Sequence, residues 1–118
     1  MSNRPSFSKY GKSFQEDLVH LILDDRPFAD QILEVLDTNF LELEYLRLFT
    51  SKIVNYRQKY SKHPSQQIID TILQTELEHE DKVVSQQTTE YFSKIAISEI
   101  EGSEYIKEQS LDFCRKQN

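Results

Sequence analysis

Apolar side chains recur at helical spacing along most of this chain, and they predict an all-α protein. The clearest run has a 3-4-3-4 spacing and comprises Leu46, Phe49, Ile53, Tyr56 and Tyr60. It predicts a helix over about residues 42–61 whose apolar seam forms the spine of the core. Only two glycines and three prolines occur in the 118 residues, whereas a sheet protein of this size usually carries more turn residues.

Capping signals predict two helices before this spine. Ser13 and Glu16 have the spacing of a capping box, so the first helix should begin at Ser13 and end near Asp24. Asp25 can cap a second helix, which has Pro27 in its first turn.

Later signals predict three more helices. Pro64 stops the spine helix, and Ser65 is placed to cap a fourth helix with an aliphatic stripe. Residues 81–101 hold no proline or glycine, so they predict a helix roughly 30 Å long. Gly102 and Ser103 then provide a stop and a new cap before the final helix.

The predicted architecture has three parts. Residues 1–12 form a flexible arm, residues 13–79 a helical head of about four helices, and residues 80–118 a long antiparallel helical hairpin. The hairpin has too few apolar residues for an interior of its own and too many to leave in water, so we expect it to pack against a second copy of the chain. The side chains predicted to line this self-association surface are Val84, Tyr91, Ile95, Ile106 and Phe113.

Composition and charge narrow the functional classes. The net charge is −6, and no apolar run approaches the ~18 residues of a membrane span. Cys114 is the single cysteine, which excludes an internal disulfide and favours a reducing, cytoplasmic setting. We expect Cys114 to be a packing residue because no neighbouring histidine or basic motif would activate its thiol.

The charge is segregated along the chain. Residues 45–69 contain five basic and no acidic side chains, namely Arg47, Lys52, Arg57, Lys59 and Lys62. They predict a basic face that is either simply solvated or a docking surface for an acidic partner. The acidic overall balance argues against direct contact with DNA, since phosphate neutralisation needs clustered basic groups.

No catalytic motif accompanies these features. The chain lacks a phosphate-binding glycine loop and a nucleophile elbow, so we expect no enzymatic activity and no bound cofactor or metal. Two short strings, Glu76 to His79 and Asp17 to His20, partly match the Glu-x-x-His pairs that bind metal in dimetal carboxylate bundles. A dimetal enzyme is therefore kept as a weaker alternative.

Several blocks resemble, in their order and spacing, the N-terminal domain of DnaB-type replicative helicases, particularly the phage branch. The blocks are Glu16 with Leu21 and Leu23-Asp24, Asn39-Phe40, Tyr45 to Phe49, Ile53 to Tyr56, Lys59-Tyr60, Pro64-Ser65, and Glu104 to Gln117. Phe49 is the best anchored position. The chain departs from bacterial members around residues 78–92, where an expected Gly-Gly-aromatic turn is missing.

The resemblance implies a non-catalytic collar domain that dimerises through its hairpin, forms a ring on a hexameric helicase and docks primase or a helicase loader. ATP and Mg²⁺ would belong to an ATPase domain beyond residue 118, in a bacterial or phage-infected cell. The helical pattern runs to Asn118 without a stop signal, which agrees with an N-terminal module. A free-standing acidic helical adaptor is the main alternative.

Overall fold

The computed structural model describes residues 4–117, and these residues form helices, turns and irregular segments with no strand. The α-helices are α1 (Gly11–Asp24), α2 (Arg26–Ile32), α3 (Glu44–Tyr60), α4 (Gln66–Glu76), α5 (Lys82–Ile95) and α6 (Ser103–Lys116). Short 3₁₀ helices cover Ser8–Tyr10, Thr38–Phe40 and Leu77–His79. The predicted all-α class is therefore confirmed.

Two of the predicted helix caps form. The Asp25 carboxylate accepts a hydrogen bond from the backbone N–H of Phe28 in α2, at 3.1 Å. The Ser65 hydroxyl accepts one from the backbone N–H of Ile68 in α4, at 3.2 Å. The start of α1 was predicted wrongly, because this helix begins at Gly11 without a side-chain cap. The Ser13–Glu16 box does not form, since the Glu16 carboxylate bonds to other helices.

The first helix is the centre of the fold. It packs against α2, α3 and α6, and its residues Leu18 and Ile22 are fully buried. From α3, Leu46, Phe49 and Ile53 are also fully buried, as the apolar spacing predicted. The core therefore lies between α1 and the part of α3 that ends at Ile53.

The last two helices do not form a projecting hairpin. Helix α5 packs against α3, whereas α6 packs against α1 and α2. Helix α5 also ends at Ile95 rather than near residue 101, so its 14 residues span about 21 Å. The Cα radius of gyration is 13.7 Å, close to the ~13.5 Å expected of a compact domain of this length. The sparse apolar stripes of α5 and α6 thus complete the core of the head.

The predicted arm is anchored to the head through Phe7, although most of its described residues are exposed. Phe7 is fully buried, and its N–H donates to the Phe40 carbonyl oxygen at 2.8 Å. Its ring lies 4.6 Å from that of Phe113, measured between centroids. The first three residues of the arm and Asn118 lie outside the described residues.

Candidate docking surface between the third and fourth helices

Three of the five predicted basic-face residues are engaged inside the molecule, and two of them are the arginines. Arg47 donates to the carbonyl oxygens of Leu41 and Glu42, at 2.8 and 2.9 Å, and so holds the segment that leads into α3. Arg57 donates to Asp30 on α2 at 2.6 Å. These two guanidinium groups have structural partners, so the basic face is smaller than predicted.

Arg57 also belongs to a network that fixes the turn after α3. One of its nitrogens lies 2.8 Å from His63 Nδ1, and His63 Nε2 lies 2.7 Å from the carbonyl oxygen of Leu23. A neutral His63 satisfies both contacts, with Nε2 donating and Nδ1 accepting. Ser61 adopts a left-handed conformation, with φ of 56°, which ends α3 and turns the chain. The network joins the ends of α1 and α3 and orients the start of α4.

The remaining basic residues are Lys52, Lys59 and Lys62. Lys52 forms a salt bridge of 3.1 Å with Glu76, which links α3 to the end of α4. Lys59 is exposed, and its ammonium lies 5.4 Å from the centre of the Tyr60 ring. Lys62 is exposed on the turn between the two helices.

An open groove of about 400 Å³ lies between α3 and α4, and we call it the α3–α4 groove. Residues that line it include Lys52, Tyr56, Lys59, Tyr60, Ile68 and Ile72. Its volume is within the range of ~300–1,000 Å³ that is usual for ligand pockets. The groove thus combines aromatic and aliphatic walls with Lys59 and the Lys52–Glu76 ion pair at its edge.

The groove exists because α4 has a wider apolar stripe than α3 covers. Ile69 and Leu73 are buried against the core, whereas Ile68 and Ile72, one position earlier in each case, are only half-buried. The seam of α3 behaves similarly at its end, where Tyr60 is 52% exposed although its spacing predicted a core position. Apolar surface beyond what the chain itself buries is typical of interaction sites.

The residues predicted to line a self-association surface are mostly buried within their own chain. Val84, Tyr91, Ile95 and Ile106 have at most 8% of their surface exposed. Phe113 is half-buried and packs in the aromatic cluster around Phe7. A second copy could reach these side chains only if α5 and α6 left the head.

A buried carboxylate holds α5 on the head. Glu16 accepts a hydrogen bond from the Tyr45 hydroxyl at 2.7 Å and from Lys94 at 3.0 Å. The Tyr91 hydroxyl donates to the backbone carbonyl oxygen of Glu16. Burial raises the pKa of Tyr91, and burial together with the Glu16 contact raises the pKa of Tyr45. Both phenols therefore remain protonated donors, and this site connects α1, α3 and α5.

The Glu-x-x-His strings are not brought together. Glu76 pairs with Lys52, and His79 is exposed beside Glu78. His20 is buried and lies 2.8 Å from Asp24 on its own helix. Within residues 4–117, no group of three or more potential ligands is placed to hold a metal ion.

Comparison with protein-family models, with curated proteins and with solved structures gives no significant match. The helicase resemblance therefore stays a prediction. Its blocks include Phe40, Tyr45 and Phe49, all buried, so the likeness concerns residues that build the core. Among the described residues, no helix has the length and apolar character needed to cross a bilayer.

Proposed function

We propose that this chain is a non-catalytic docking and assembly module, and that it serves as the N-terminal collar domain of a DnaB-type replicative helicase. In that role it mediates assembly of the helicase ring and docks primase or a helicase loader. The α3–α4 groove is the observation that carries the docking role.

The composition of the groove supports protein binding. Its exposed aromatic side chain, Tyr60, belongs to a residue type that is enriched among the energetically dominant positions of interfaces. The half-buried Ile68 and Ile72 offer apolar surface beside it, and Lys59 adds a positive rim. An acidic segment with an apolar anchor is the partner that this surface fits best.

The order of the sequence blocks supports the helicase family. The blocks Asn39-Phe40 and Tyr45 to Phe49 resemble the collar domain and contribute the buried rings of Phe40, Tyr45 and Phe49. The block from Glu104 to Gln117 also resembles it and covers most of α6. The proposal differs from the sequence prediction in one respect. Ring assembly is assigned to exposed surface, since the predicted hairpin residues are buried.

The family assignment is tested by the reading frame and by deletion. We expect the frame to continue past residue 118 into an ATPase domain with a GxxxxGK[ST] segment. In that full-length protein, deletion of residues 1–118 should weaken ring assembly and recruitment of primase or loader, while nucleotide binding by the motor domain persists. A stop codon after Asn118 would contradict the collar and favour the free-standing acidic adaptor.

The docking role has its own matched pair of variants. Tyr60→Ala should weaken partner binding, whereas Tyr105→Ala should not, because Tyr105 is a similarly exposed tyrosine on α6, away from the groove. Binding can be measured by titration calorimetry with the purified primase or loader, and ring assembly by sedimentation. Equal behaviour of the two variants in both assays would refute docking through the groove.

A further inference from the structure

The segment between α5 and α6, residues 96–102, carries the most exposed large apolar side chain of the described residues. Ile97 is 89% exposed. Three residues later, Ile100 is half-buried and packs against the core, so the segment is held on the head while Ile97 faces solvent. We call this segment the Ile97 loop.

The Ile97 loop is acidic. Glu99 and Glu101 flank Ile100, Glu104 follows in the first turn of α6, and no basic residue occurs from 96 to 104. All three carboxylates belong to exposed residues. The loop is therefore an apolar anchor surrounded by negative charge.

The α3–α4 groove has the opposite character. It offers the Tyr60 ring and two half-buried isoleucines as apolar walls, and Lys59 is exposed at its edge. Glu76, the acidic residue of the lining, is paired with Lys52 at 3.1 Å, so Lys59 gives the groove its net positive charge. The negative charge of the loop thus complements the positive charge of the groove, and the Ile97 side chain matches the apolar walls of the groove.

We infer that the α3–α4 groove of one copy of this chain receives the Ile97 loop of a second copy. This inference rests on the docking role proposed above: the loop of a second copy occupies the groove in the assembled ring and leaves it when primase or a loader docks. Within one chain the two elements do not cover each other, because Ile97 and Tyr60 both remain largely exposed. The contact therefore forms between molecules.

Such a contact is heterologous, since two different surfaces meet. Each added copy presents a new groove and a new loop, so the contact builds a ring where the rotation closes and a chain of copies where it does not. This mode uses exposed surface and leaves Tyr91 and Ile106 in the core. It replaces the predicted hairpin contact.

Site-directed cross-linking tests the contact directly. One chain carries Asn55→Cys at the groove, a second carries Ser98→Cys in the loop, and both positions are exposed. The native Cys114 is buried, and burial raises the pKa of its thiol to about 12, so its background reaction with a short bismaleimide linker is slow. A mixture of the two variants should yield the mixed cross-linked dimer, and each variant alone should yield little product.

A chain that carries both cysteines should give a ladder of cross-linked multimers. The matched control replaces Ser98→Cys by Glu108→Cys, an exposed position on α6, and should give no mixed dimer. Equal yields from the loop and control positions would overturn the inference, as would homodimers of one variant in place of the mixed product.

Surface variants then test the chemistry of the contact. Ile97→Ser should weaken self-association by roughly tenfold or more, since a large apolar side chain loses its burial. Val83→Ser is the control, because Val83 is also exposed, at 62%, but lies on α5 away from the loop. Sedimentation equilibrium over a range of concentrations measures both. Equal association of the two variants would refute a role for Ile97.

Charge reversal gives a second readout. Lys59→Glu and Glu99→Lys should each weaken the mixed cross-link about two- to tenfold, and combining a Lys59→Glu groove with a Glu99→Lys loop should restore it. Glu108→Lys makes the same charge change elsewhere and should have no effect. Failure of the combination to recover would exclude pairing of these side chains.

The outcomes separate this inference from the proposed function. If Tyr60→Ala weakens primase or loader binding but no mixed cross-link forms, the groove belongs to that partner and the inference is wrong. If the cross-link forms but the reading frame ends at residue 118, the self-contact holds and the collar assignment is wrong.

Discussion

A substitution of Tyr91 tests whether α5 belongs to the core of its own chain or to an interface between two copies. The Tyr91 side chain is 3% exposed, its ring packs edge-on to Phe49 at 5.2 Å between centroids, and its hydroxyl donates to the Glu16 carbonyl oxygen. Truncation of a buried aromatic residue costs about 3–5 kcal/mol. We therefore expect Tyr91→Ala to lower the free energy of unfolding by that amount and leave the sedimenting mass of the folded protein unchanged.

The hydroxyl contribution can be isolated with Tyr91→Phe. This variant keeps the ring but removes one buried hydrogen bond to a carbonyl oxygen that retains its helical partner, which costs about 0.5–1.5 kcal/mol. Tyr105→Ala is the control for loss of an exposed tyrosine and should change stability by less than about 0.5 kcal/mol. Because a domain of this length is stable by only about 6–18 kcal/mol, the difference between these variants is easily resolved.

The assay is urea denaturation followed by far-UV circular dichroism, with sedimentation of the same samples. The slope of the unfolding free energy against urea must stay constant for the comparison to hold. An unfolding free energy of Tyr91→Ala within about 0.5 kcal/mol of the wild type, together with a smaller oligomer, would refute core packing and restore the projecting hairpin.

Three other substitutions and one labelling experiment test the rest of the fold. Phe7→Ala should lower the unfolding free energy by about 3–5 kcal/mol in the same assay, because the buried ring belongs to the core, and no effect would mean a loose arm. Thr50→Val should be neutral or stabilising by up to about 1 kcal/mol, since Thr50 Oγ1 is buried without a hydrogen-bond partner, and a large loss would reveal a missed partner. The Lys107 ammonium lies 2.6 Å from Asp25 and lowers the pKa of that carboxyl. The pair therefore stabilises the fold above about pH 4 and loses this effect as pH falls further. An NMR titration of Lys107→Met should show the pKa of Asp25 rising. Cys114 should react with a thiol reagent only at the rate at which the fold opens, and fast labelling without denaturant would contradict its burial.

Helix spacing and caps predicted most local structure but not the way the last two helices pack. The seam of α3 located the core correctly through Phe49 and Ile53, because both lie on a continuous apolar stripe. The apolar stripes of α5 and α6 are too sparse to form an interior by themselves. In the fold, Tyr91 and Ile106 instead add to a core that α1 and α3 have already begun. Pairing between distant segments leaves no periodic signal in a single sequence.

The candidate site was only half predicted, for a related reason. The basic stretch marked the correct helix, but sequence could not show that Arg47 and Arg57 would turn toward internal acceptors. The spacing also predicted a core position for Tyr60, but α3 extends beyond the part of the fold that could cover this side chain. One signal in the sequence could have predicted the exposure of Tyr60. Lys59 and Lys62 lie on either side of this tyrosine just before Pro64, and charged residues at the end of an apolar seam mark where burial stops.

The charge of the chain sets how strong the proposed contact between copies can be. Each copy carries a net charge of −6, so two copies repel each other over a Debye length, and only the local match between the α3–α4 groove and the Ile97 loop favours contact. A single apolar anchor with a few exposed ion pairs gives weak association when chains are free in solution. Attachment to a motor that already forms a ring would hold the copies at an effective concentration in the millimolar range. Under the proposed function, the contact therefore forms on the assembled helicase and dissociates readily in the isolated module, which suits a collar that must rearrange while partners dock.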